Sequence, residues 1–221
     1  MQGNTVSTQV EARVLATNKL IRNTYMLLAI TLIFSAVTAT ISVFLKLPPM
    51  TYLLSLGGAI VLMWFVLPRT ANSSSGIGVV FGITGLLGLG LGPLLNMYLS
   101  LPNGPQIVAT ALGGTGVIFF ALSGYALTTR KNFSFMGGFL ATGFLVVLVG
   151  SLVNIFLGIP AFSLAISATV VMLMSGFLLY ETSQMVHGGQ DNYVLATVGL
   201  YMTIFNLFVS LLHLLGFASN D

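Results

Sequence analysis

The sequence contains no cysteine, which excludes a disulfide framework and any Cys-ligated metal site. Charge is almost as scarce. Asp, Glu, Lys and Arg make up 5% of the chain, where a soluble domain carries about a quarter. So little charge cannot cover a surface that faces water. Only four residues are acidic, and the net charge of +3 sits in the segments between apolar runs. There it sets orientation and gives no footing for nucleic acid.

What is present is hydrocarbon. Hydrophobic residues are 56% of 221, and the mean hydropathy is +1.02. The chain reads as an all-α integral membrane protein whose surroundings are the lipid bilayer. About 20 apolar residues are needed per span, so the length admits seven or eight helices and little else.

Residues 1–23 are polar and read as a tail ending in a short interfacial helix. The first apolar run, 24–44, is long enough to span, so a cleavable signal peptide is not expected. Six further spans are placed at 51–67, 76–100, 106–127, 134–157, 162–186 and 193–216, leaving 218–221 as a short terminus. Breakers mark the turns: Leu47-Pro48-Pro49, Ala71-Asn72-Ser73, Pro102-Asn103-Gly104-Pro105 and Gly158-Ile159-Pro160.

Basic residues set the orientation. Arg13, Lys19, Arg22, Arg69, Arg130 and Lys131 fall on one side, and only Lys46 on the other. That bias predicts a cytoplasmic amino terminus and, with seven spans, an external carboxyl terminus. Tyr25, Tyr52, Trp64, Tyr98 and Tyr193 fall near span ends, where interfacial aromatics belong.

In the third span Gly78, Gly82, Gly85, Gly88 and Gly92 recur at steps of four, three, three and four. They keep to roughly one face and let another backbone approach closely. Pro93 follows them, removing a backbone donor. No repeat period emerges to support an inverted-repeat transporter.

The last span is not uniformly apolar. Thr203, Asn206, Ser210 and His213 follow at spacings of three, four and three, one face of a helix that continues back through Gly199 and Ala196. Such a stripe wants protein or water beside it, which places this helix centrally in the bundle. Glu181 is the one acid expected inside a span. A carboxylate at that depth costs several kcal/mol unless paired, hydrated or protonated, so a functional role is the default. The competing reading has it reaching the nearby interface. Asn96, Asn154 with Ser151, Ser210 and His213 cluster toward the other end, as interhelical hydrogen-bonding groups or as a polar path.

No catalytic residue is assigned. Ser123 and Ser175 lack the glycine setting of an intramembrane serine protease, and no aspartate pair suits an aspartyl protease. His187 and His213 sit near opposite faces, too far apart to share a metal.

The strings LGLGLGPLLNMYL, YALTTRKNFSFMGG, NIFLGIPAFSLAISA and YETSQMVHGGQDNYVLATVGLYMTIFNLFVSLLHLLGF resemble the Bax inhibitor (transmembrane Bax inhibitor motif) family, above all its bacterial YccA-type branch. The likeness runs from about Asn18 to the end. It implies a seven-helix bundle with the last helix near its centre, a bacterial inner-membrane location and no enzyme activity. Two functions accompany it. One is association with the membrane-bound ATP-dependent protease FtsH as substrate and modulator. The alternative is a pH-sensitive calcium leak, in which an acid pair on the last two helices shares a proton and engages an arginine. The first acid of that pair falls on Glu181 and the second on Thr203, with Arg69 as counterpart of the arginine. A hydroxyl in place of one carboxylate cannot share a proton in the same way and offers a divalent cation less charge. No cofactor is implied, and Ca2+ enters only as a transported ion. The oligomeric state is open.

Overall fold

The structure is a computed structural model that describes the backbone of residues 2–218 and side chains from residue 14. It is all-helical. The spans are α1 (Gln2–Phe44), α2 (Met50–Thr70), α3 (Ser75–Leu99), α4 (Gly104–Thr129), α5 (Gly137–Leu157), α6 (Pro160–His187) and α7 (Tyr193–Ala218). All seven are long and apolar enough to cross a membrane. The expected terminus at 218–221 falls almost wholly outside the described residues.

Local chemistry explains the boundaries. Pro105 and Pro160 open α4 and α6, where a missing N–H costs nothing. Gly158 and Gly188 close α5 and α6 in the left-handed conformation, at φ +62° and +80°. The expected tail is instead continuous with the first span. After Gly3 there is no glycine or proline up to Leu47, so no breaker separates the tail from the span in the helix Gln2–Phe44.

α3 packs most extensively on α1 and also on α2. The glycines divide this work. A β-carbon at Gly85 would lie 2.8 Å from the Phe34 ring, and one at Gly88 or Gly92 would collide with Ser35 and Thr38 or with Ser42 of α1. Gly82 faces Leu62 of α2, and Gly78 faces open space. Pro93 has a specific partner in this packing. Lacking an N–H, it leaves the carbonyl of Leu89 without its helical donor, and the Ser42 hydroxyl donates to that carbonyl at 2.7 Å.

α7 is the most enclosed span and touches α1, α3, α4 and α6. It is the centre of the bundle. Tyr201 lies fully inside, its hydroxyl 2.5 Å from Ser35 Oγ of α1 and within reach of the Thr84 carbonyl of α3. α5 is the opposite case, resting chiefly on α6 with Leu140 as its one buried side chain. The aromatics near span ends also divide. Trp64 is exposed, whereas Tyr98 is buried against Gly216.

Candidate functional site

Glu181 lies near the end of α6 and Thr203 two to three turns into α7. The two helices run antiparallel through the loop 188–192, so these positions come level. Thr203 Oγ1 donates to Glu181 Oε2 at 3.0 Å, and Thr203 is buried. Among the described residues no Lys or Arg pairs with the carboxylate. It borders a cleft of about 250 Å³ shared with Tyr180, Gln184, Gln190 and Gly199. A single carboxylate, the Thr203 hydroxyl that donates to it, the Tyr180 phenol and two amide side chains make a small hydrogen-bonding chamber, not a cage of charge.

The loop over this chamber is fastened by its own sequence. Gly188 lets the chain turn, and the amides of Gly189 and Gln190 both donate to the Gln184 carbonyl, at 2.9 and 3.2 Å. Asn192 then caps α7: its Oδ1 accepts from the amides of Val194 and Leu195 at 2.8 and 3.1 Å. Its Nδ2 donates to the Ala71 carbonyl at 3.1 Å and to Asn72 Oδ1 at 2.7 Å. One side chain thereby ties the loop over Glu181 to the connection between α2 and α3.

Neighbouring hydroxyls fix α6 from the other sides. Ser183 Oγ accepts from the Phe133 amide at 2.9 Å, binding the α4–α5 connection to α6. Thr182 Oγ1 is 3.3 Å from the Tyr25 hydroxyl of α1 and donates to Ser123 Oγ of α4 at 3.5 Å. None of these contacts was read from the sequence. Serine and threonine on apolar helices are too frequent to mark a site until the neighbouring helix is known.

Arg69 does not reach the chamber. Its guanidinium donates to the Phe65 carbonyl of its own helix. Just before Arg69, Leu62–Val66 forms a π turn, and Pro68 supplies no N–H. Thr70 Oγ1 likewise donates to a carbonyl of its own helix, that of Val66, at 2.9 Å.

The remaining polar groups do not form one path. At the end of the bundle away from Glu181, His213 Nδ1 is 2.8 Å from Ser167 Oγ, and Asn154 Nδ2 donates to Ser163 Oγ at 2.6 Å. These residues and Ser151 border a second cleft, of about 520 Å³. Along α6 the buried Met174 and Leu178 lie between the two clefts. Asn206 is turned to its own helix, donating to the Met202 carbonyl at 2.8 Å. Ser210 is buried within α7. Asn96 stands apart, bonded at 3.3 Å to the Val43 carbonyl of α1.

The family described as inhibitor of apoptosis-promoting Bax1 matches residues 17–220. Among curated relatives, the Escherichia coli K12 protein named modulator of FtsH protease YccA is 53% identical over 207 residues, covering 94% of each chain. An inner membrane protein YccA from a second E. coli strain gives the same figures. A membrane protein of Vibrio cholerae is 46% identical over 209 residues, covering 95% of this chain and 94% of its own.

Proposed function

The chain belongs to the Bax inhibitor family, and on that footing we propose that it binds and modulates a membrane-bound ATP-dependent protease of the FtsH kind. It is a multi-pass inner-membrane protein. The observation that carries the reading is the likeness, over 94% of both chains, to a protein named for modulating that protease. The chamber is consistent with a regulator. Its one carboxylate is held by a neutral hydroxyl, and a dehydrated divalent cation favours several charged oxygens. The reading assigns no catalysis and no cofactor.

Cross-linking in native membranes followed by co-purification tests it. The chain is expected in the protease complex, and purified protease is expected to degrade a reference membrane substrate at an altered rate when the chain is added. Absence from the complex together with an unaltered rate would overturn the reading.

The amino terminus is assigned to the cytoplasm and the carboxyl terminus to the outside, supported by six basic residues on one side against Lys46 on the other. Fused after Asp221, a reporter that works only outside the cytoplasm should be active and one that works only in the cytoplasm should be silent. Cytoplasmic activity there would reverse the assignment.

The second reading is a pH-sensitive cation leak. The feature favouring it is a cleft of about 250 Å³ with a carboxylate on its wall inside a membrane-spanning bundle.

A further inference from the structure

α1 and α4 both pack on α7, yet they scarcely touch each other. Between them runs a groove of about 480 Å³, walled by residues such as Ala36 and Leu112 and floored by Ile204 and Phe208 of α7. Its lining includes no Asp, Glu, Lys, Arg or His. Four hydroxyls border it, and all are already engaged. Ser35 and Tyr201 bond each other at 2.5 Å, Thr40 donates to the Ala36 carbonyl at 2.8 Å, and Thr115 to the Ala111 carbonyl at 2.7 Å. The groove therefore offers hydrocarbon and little else.

Its length and depth are informative. On α4 the lining runs from Val108 to Phe120, about 18 Å at 1.5 Å per residue. That is close to half the hydrocarbon thickness of about 30 Å. Thr40, Leu95 and Val108 line its outer part, each four residues from its helix end at Phe44, Leu99 or Gly104. The groove thus begins one turn inside the helix ends on the Lys46 side and runs over about the length of one leaflet.

Left empty, the apolar walls would lose contacts on one side. A free fatty acid drawn fully into the groove would bury a carboxylate with no partner. We propose that the groove holds one acyl chain of a bilayer phospholipid, its headgroup resting outside at the interface of the Lys46 end. The site lies apart from the Glu181 chamber, and its occupant supports the packing of α7 between α1 and α4.

Gly116 gives the test a clean handle. It lines the groove, and a β-carbon built there meets no atom within 4 Å. Gly116→Phe should fill the space with a ring and leave the helices in place. Native mass spectrometry after mild detergent extraction and washing is expected to find one phospholipid per native chain and about tenfold less on the variant, a loss of roughly 1.4 kcal/mol. In the otherwise native protein, a diazirine analogue at Leu112 should capture phospholipid after washing. The same analogue at Phe156, 89% exposed on α5, should capture it only before washing. Equal lipid on Gly116→Phe, or capture at Leu112 of polypeptide, of free fatty acid or of nothing, would overturn the proposal.

Discussion

Gly199 of α7 faces the Glu181 carboxylate so closely that a β-carbon at Gly199 would lie 2.8 Å from Oε1. Gly199 and Thr203 are four residues apart and share a helix face. One therefore makes room for the carboxylate that the other holds. The geometry of the chamber depends on a missing side chain as much as on a present one.

Gly199→Ala should accordingly displace Glu181. The atom in the way is the far end of a flexible side chain, so the carboxylate can turn into the adjoining cleft and the fold survives. Stability should fall by about 1–3 kcal/mol at most, as for overpacked sites. Modification of Glu181 by a hydrophobic carbodiimide should become faster. An unchanged labelling rate in a folded variant would mean that Gly199 does not govern the carboxylate.

Asn192 is the second control point, through its four hydrogen bonds to α7 and to the α2–α3 connection. Asn192→Ala should cost about 1–2 kcal/mol from the lost cap alone. It should also loosen the loop over the chamber, read as faster amide exchange at Gly189 and Gln190. Asn192→Asp keeps the capping oxygen and loses the Nδ2 donor. It should recover most of the stability and leave the loop exchange fast. Equal exchange in all three proteins would remove Asn192 from this role.

Seven spans and a central last helix were legible in the sequence, because apolar runs and a three-to-four-residue stripe depend only on local order. The pairing of Glu181 with Thr203 was legible through the short loop that makes their helices antiparallel neighbours. Contacts between non-consecutive helices were not. Nothing in the local pattern says that Ser42 serves the Leu89 carbonyl freed by Pro93, or that Tyr201 meets Ser35. Arg69 was misjudged as a partner for Glu181 for a related reason. Its guanidinium is taken up by the Phe65 carbonyl one turn back in its own helix, a contact hydropathy does not register. Whether the polar groups were hydrogen-bonding pairs or one path stayed open in the sequence, because helical spacing records which face a residue takes, but not which helix covers that face.

The amino-terminal segment offers a test of protease engagement that leaves the chamber untouched. Residues 2–12 lie ahead of the first apolar run, residues 24–44. A cytosolic pulling machine needs a polypeptide end outside the bilayer. Deleting residues 2–12 is expected to lengthen the lifetime of the chain several-fold in protease-containing cells and to leave its thermal stability in detergent unaltered. Degradation at the native rate would show that the protease takes hold elsewhere.

The last prediction separates regulator from leak. The chamber holds one carboxylate and one hydroxyl at 3.0 Å, and divalent cations in proteins are gathered by several oxygens of which more than one is charged. The native chain in dye-loaded liposomes should therefore pass calcium weakly or not at all. Thr203→Asp places a second carboxylate against the first and should raise the flux about tenfold or more. A cation must offset the repulsion between the two acids, and their coupled titration should make that flux depend on pH. Adding Glu181→Gln to Thr203→Asp restores a single carboxylate and should return the flux to the native level. Measuring all three proteins at several pH values distinguishes every case. Strong calcium flux through the native chain that survives Glu181→Gln would refute the role given to this pair and place any conducting route elsewhere in the bundle.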